Sequence, residues 1–185
     1  VDTGAGETVA RWERSLLSAA PVTDGWAGLE VGGPLRLHRE EVPPGWVDYN
    51  GHVHESRYLQ LVADATDALL RLIGVDNAYV AGTGSFYTVE THLSHLGQAF
   101  SGDRVTVDTQ VLRFDGKRLH VFHRLTRDGD GEELATAEQM LLHVNAASGR
   151  AGSANGEVAR RASDVAAAHA GLPRPERAGR AIASG

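Results

Sequence analysis

The chain of 185 residues contains no cysteine. That absence removes disulfides, thiolate nucleophiles and Cys-ligated zinc at a stroke. Positive charge is also scarce: 18 Lys and Arg face 24 Asp and Glu, for a net charge of -6. Without a basic face to neutralise phosphates, nucleic acid is not an expected partner. No apolar run approaches the roughly 20 residues that cross a bilayer, and no secretory pattern opens the chain. A membrane partner is therefore not expected, and the cytoplasm is the expected location. Aromatics are sparse at 6%, while 42% hydrophobic and 23% charged residues are ordinary for a soluble globular protein. The length suits one domain with a real core and is short for two.

Three regions are expected: an N-terminal helix and linker over 1–33, a main domain over 34–145, and a C-terminal helix with a flexible tail over 146–185. In the first, Val9, Trp12 and Leu16 share a helical face before Pro21. LRLHREEV, 35–42, reads as a strand ended by Pro43 and Pro44. ESRYLQLVADATDALLRLIG is the clearest element. Arg57, Gln60, Asp64, Asp67 and Arg71 form one polar stripe, and Tyr58, Leu61, Val62, Ala65, Leu69, Leu72 and Ile73 fill the other side. The helix should run about 19 residues, roughly 28 Å, and stop at Gly74. Four extended runs follow, at 85–96, 104–114, 118–127 and 132–144, with Asp-Gly turn signals between the later ones. A helix is then expected around Glu157 to Ala170.

This order predicts an α+β fold: an antiparallel sheet of about five strands wrapped around one long central helix, the hotdog arrangement. One helix cannot cover both faces and both edges of such a sheet. An open edge invites a second copy, so a homodimer or a multiple of dimers is expected.

The segment WVDYNGHVHESRY crowds Asp48, Glu55, His52 and His54 around an Asn50–Gly51 turn, with Trp46, Tyr49 and Tyr58 beside them. A carboxylate on a loop entering a buried helix suits acid-base chemistry, because the helix's free N–H groups can hold a developing oxyanion. An Asx turn with surface histidines explains the same residues equally well. Spacing leaves both readings open. On the first long strand, Glu90 and His92 alternate with Phe86 and Thr88 and so should share a face. His92 and His95, like His120 and His123, are three apart on strands and should point oppositely. Neither pair can chelate, and no metal is expected.

The same segment resembles the hotdog acyl-CoA thioesterases of the 4-hydroxybenzoyl-CoA thioesterase group, with Asp48, His52 and Tyr58 at the motif positions and His54 where an Asn is usual. The resemblance is closer to the betainyl-CoA thioesterases of carnitine breakdown. It runs through Ala65 to Leu70, Phe86 to His92, Lys117 to His123 and Ala135 to Val144. The GAGETVARWE opening is similar to the junction of an L-carnitine dehydrogenase fusion, so such a parent is expected.

The resemblance implies hydrolysis of a small acyl-CoA, betainyl-CoA first, with no cofactor beyond the CoA carried by the substrate. It implies Asp48 as the catalytic carboxylate, with Glu55 its competitor, and His52 orienting the loop or carbonyl. Backbone N–H groups from His54 to Ser56 would hold the oxyanion. Asn50, His54 and Tyr58 would line the site, and some of Trp46, Tyr49, Phe86 and Tyr87, with Glu90, would meet a trimethylammonium end. Phe86 and Tyr87 point oppositely and are not expected together from one subunit, and the other reading of these rings is core. Two alternatives stand beside it: an enoyl-thioester hydratase, and a non-catalytic dimerisation domain of a dehydrogenase fusion.

Overall fold

The computed structural model describes residues 32–180. The expected N-terminal helix lies outside the described residues. Strand β1 spans Leu35–Glu41 and is followed by a 3-10 turn, Pro44–Trp46. Helix α1 is Glu55–Leu72 and a short α2 is Asn77–Gly82. Four long strands come next: β2 Gly84–His95, β3 Arg104–Phe114, β4 Arg118–Arg127 and β5 Glu133–Asn145. Helix α3, Gly156–His169, closes the described fold. The strands make one antiparallel sheet in the order β1-β3-β4-β5-β2. The hotdog expectation holds, and α1 has 18 residues.

Helix α1 forms where its 3.6-residue apolar stripe meets the sheet's inner face. Leu61, Val62, Ala65 and Leu69 are at most 1% exposed. Burying each of the larger ones is worth about 1.5–3 kcal/mol. His54 caps the helix, its side chain accepting from the Ser56 N–H, and Gly74 takes the left-handed conformation past its end with φ 99. Strand β5 is rich in Ala and Leu, yet it is a strand. Its alternate residues Ala135, Ala137, Gln139, Leu141 and His143 face inward and are buried. Tertiary packing outweighs their helix propensity.

The core divides into two clusters along α1. One gathers Trp46, Val53, Tyr58, Leu61, Val62 and Ala65 near the helix start. The other gathers Leu69, Ile73, Phe86, Val111, Leu141 and Val165 near its end. A buried polar chain crosses the interior. Thr66 Oγ1 donates to Gln139 Oε1 at 2.7 Å and lies 3.1 Å from His123 Nε2. His123 Nδ1 is 2.9 Å from Thr109 Oγ1, and Gln139 Nε2 donates to Thr91 Oγ1 at 3.2 Å. The chain ties α1, β3, β4, β5 and the edge strand β2 together. Desolvation pushes the His123 pKa down to about 4, so the ring is neutral near pH 7, with one nitrogen donating and the other accepting.

Three expectations are revised. A β-bulge between Thr88 and Glu90 shifts the register of β2 against β5. One inserted residue reverses the alternation, so Phe86 pairs with inward His143 whereas Glu90 pairs with Met140 and His92 with Glu138. Glu90 and His92 therefore share the outer face with Tyr87, not the inner face with Phe86. The tail beyond α3 is not a free segment as far as residue 180. Gly179 N–H donates to Glu138 Oε2 at 2.6 Å, and Gln110 Nε2 donates to the Pro173 carbonyl at 3.4 Å. The tail's own backbone groups find partners on the sheet's outer face, a contact its composition does not announce. The third revision concerns the aromatics and follows from the site.

The two sheet edges differ. The last pair of β1 with β3 is Leu35 with Thr109, and beyond it His169 Nδ1 of α3 accepts the Val111 N–H at 2.9 Å. The free edge of β3 is thus capped by a side chain. Strand β2 has no strand on its outer side among the described residues, and Tyr87 and Val89 on it are 57% and 58% exposed.

Candidate active site

The turn before α1 is built by its own backbone. Asp48 N–H donates to the His52 carbonyl at 2.8 Å, and Gly51 N–H returns to the Asp48 carbonyl at 3.0 Å. Gly51 sits at φ 81, a conformation that favours glycine. Asp48 Oδ1 accepts from the N–H of Asn50 at 2.8 Å and of His52 at 3.3 Å. The Asx turn is real, and it also holds the carboxylate in one place. Desolvation pushes the Asp48 pKa up, but the Asn50 and His52 N–H donors and the nearby His52 ring outweigh it and leave the pKa lowered. At neutral pH this half-buried group is a carboxylate.

Two neighbouring segments lock onto the turn. Val53 N–H donates to the Ala99 carbonyl at 2.9 Å, and His52 bridges to Phe100 with ring centroids 5.4 Å apart. Tyr58, in the first turns of α1, accepts the Ala99 N–H at its hydroxyl at 3.0 Å and lies 3.5 Å from the Gly97 carbonyl. Desolvation pushes its pKa up, which keeps the hydroxyl protonated. The His95 ring stands edge-on to Tyr58, centroids 5.0 Å apart.

The expected oxyanion donors narrow to one. His54 N–H is spent on the Trp46 carbonyl at 2.9 Å, and Ser56 N–H on His54 Nδ1 at 3.3 Å. Of the three, Glu55 N–H remains without a partner among the described residues, at the positive end of α1. The Glu55 side chain is exposed at the first helical position.

The structure therefore brings Asp48, Asn50, His52, His54, Glu55 and Tyr58 together. It does not assemble the expected aromatic group within one subunit. Trp46 is 6% exposed and belongs to the core, with the Arg57 guanidinium over its ring at 5.4 Å. Phe86 is 5% exposed in the far cluster, edge-on to His143 at 5.0 Å. Tyr87 and Glu90 lie on the outer face of the open edge. Only Tyr49, 96% exposed at the tip of the Asp48 turn, offers a free ring beside the carboxylate. Large rings on apolar-rich segments go to the core unless something holds them out. Sequence reasoning passed over Arg57 and His95. The signal for His95 was its odd spacing from His92, which sends it to the inner face.

A carboxylate held on a turn against a helix N-terminus, on a sheet wrapped around that helix, defines a class. The chain belongs to the Thioesterase-like superfamily, whose family model matches residues 42–168. Among curated proteins it is 45% identical over 149 residues to the betainyl-CoA thioesterase of Pseudomonas aeruginosa, covering 80% of this chain and 94% of that one. It is also 45% identical over 179 residues to the L-carnitine dehydrogenase/betainyl-CoA thioesterase of Rhizobium meliloti, covering 97% of this chain. The chain spans 36% of that longer relative's length. Among solved structures, a candidate thioesterase of Pseudomonas putida KT2440 superposes with TM-score 0.71 at 38% identity, covering 82% of this chain and 97% of that chain. A Staphylococcus aureus protein solved in complex with CoA superposes with TM-score 0.75 at 24% identity, covering 82% and 97%, and shares the fold.

Proposed function

We propose that this chain is an acyl-CoA thioester hydrolase acting on betainyl-CoA, releasing glycine betaine and CoA. One observation carries the chemistry: an ionised Asp48, pinned by two backbone N–H groups, stands beside the start of α1, where Glu55 N–H is unspent. Asp48 takes a proton from water as the water oxygen attacks the thioester carbonyl carbon. The developing oxyanion accepts from Glu55 N–H, and collapse breaks the C–S bond. The alternative step, attack by Asp48 itself, forms a mixed anhydride, and its hydrolysis by water attack at the Asp48 carbonyl carbon leaves solvent oxygen in that side chain. In single-turnover hydrolysis in ¹⁸O water, the general-base route leaves Asp48 unlabelled.

The substrate reading draws on the relatives named above and on the site's charge. A trimethylammonium cannot donate a hydrogen bond and is met by negative charge and ring faces. Asp48, Glu55 and Tyr49 offer these; Trp46, its face taken by Arg57, does not. CoA arrives with the substrate and no further cofactor is called for. The open edge of β2 pairs with β2 of a second copy to give a homodimer or a multiple of dimers. The chain acts in the cytoplasm, as the thioesterase part of a fusion with an L-carnitine dehydrogenase. The test is thiol release by the purified domain from betainyl-CoA and from neutral 3,3-dimethylbutyryl-CoA. A clear preference in kcat/KM for the charged ester is expected, and equal values would remove betaine from the reading. Light scattering on the same sample should give twice the chain mass or a multiple of that, and the mass of a single chain would overturn the assembly.

A further inference from the structure

We propose that His95 is a catalytic residue of the same site, giving a proton to the sulfur of the departing thiol. The inference rests on the thioesterase reading and adds to it a role that no motif in the sequence signalled.

His95 ends strand β2 and pairs with Ala135, which is buried on the inner face of the sheet. Its imidazole therefore faces α1 rather than the outer solvent side. There it meets Tyr58 edge-on, at 5.0 Å and 89°. Residues three and four apart on a helix lie above one another, so Tyr58 stands beneath Glu55 and His54. The Tyr58 that His95 touches is thus one helical turn along α1 from the unspent Glu55 N–H. The segment that follows it, as far as Phe100, is zipped onto the Asp48 turn through Val53 and His52.

The contrast with the inner histidines is what singles it out. His123 is held by Thr66 and Thr109, His143 by the Tyr79 hydroxyl at 3.0 Å and the Gly152 carbonyl at 3.2 Å, and His169 by the Val111 N–H. Buried rings with partners on their nitrogens are structural. The His95 ring hydrogen-bonds no described residue, and the residue is exposed. A ring held by its edge contact to the first turns of α1, with nitrogens that bond no described residue, is placed to transfer a proton.

The step balances with groups already present. The C–S electron pair goes to sulfur as the C=O bond re-forms. A ring N–H of His95 supplies the proton that makes the S–H bond. Its proton is restored by the one Asp48 took from the attacking water.

The test uses His95→Phe, which keeps an aromatic edge against Tyr58 but has no proton to give. The acyl group is presented as its CoA ester and as its thiophenyl ester, whose thiolate leaves without protonation. The variant should lose about 10²-fold in kcat on the CoA ester, with KM little changed, and hydrolyse the thiophenyl ester at near the unaltered rate. Equal losses on both esters, or no loss on either, overturn the proposal. Should His95→Phe fail to fold, His95→Gln is read by the same two esters and the same split decides. If the unaltered protein cleaves no acyl-CoA at all, the thioesterase reading fails first, and that result is distinct from any outcome with the variants.

Discussion

The two ends of α1 are built on opposite terms. At its C-terminal end Leu69, Leu70, Leu72 and Ile73 meet Phe86, Val111 and the apolar face of α3, and all are at most 8% exposed. The histidine there, His143, is wholly buried and hydrogen-bonded, and desolvation pushes its pKa down. At the N-terminal end the core beneath is just as tight, with Val62 and Ala65 at 0% exposure. Its upper surface, however, carries Asp48, His52, His54, Glu55 and His95 half-buried or exposed. One end spends its polar groups on stability and the other leaves them available. A helix N-terminus can hold an anion and a C-terminus cannot, so the asymmetry has a physical direction.

Substitutions at the two ends should therefore separate activity from stability. The largest effect is expected at Asp48→Asn, which should lower kcat by about 10²–10⁴-fold while the thermal midpoint holds within a few degrees. Glu55→Gln should cost less than tenfold by the same measure. A reversal of the two would move the base from the turn to the helix. Phe86→Ala belongs to the other end. It should cost about 3–5 kcal/mol in urea unfolding and leave the kcat of the folded fraction near that of the unaltered chain. A selective loss of activity would bring Phe86 into the site after all.

The middle of the helix makes a prediction of its own through His123. Its folded pKa, about 4, lies below its unfolded value of 6.5, so the unfolded chain binds the extra proton. The stability it contributes is fully present above pH 6.5 and is lost as pH falls toward 4. The difference corresponds to about 3 kcal/mol. Urea midpoints at pH 7 and pH 4.5 should show the drop, and His123→Gln should flatten it; an unchanged slope would place the sensitivity elsewhere. The smallest effect is expected at Tyr49→Leu. Loss of one cation–π face, about 0.5–2 kcal/mol, should erode the preference for the charged over the neutral ester without moving stability. Trp46→Leu should do the reverse, lowering stability and sparing the preference.

What the sequence determined by itself was local. The apolar stripe of α1, its stop at Gly74, the Asp-Gly turns and the Asn50–Gly51 turn each depend on residues a few positions apart, and each stands where its pattern put it. The Asp48 carboxylate was legible for the same reason: its Asx turn closes within four residues. The tertiary structure decided what depends on distant partners. The bulge at Thr88–Glu90 appears only in the pairing of β2 with β5, and it sends Glu90 outward. Trp46 and Phe86 are buried against Arg57 and His143, partners that their own spacing does not reveal. The tail was sorted by composition, but Glu138 across the sheet holds it as far as residue 180. Sequence periodicity reports which side of an element is apolar. It does not report which other element covers that side, because packing energy belongs to pairs of surfaces that meet only in the folded chain.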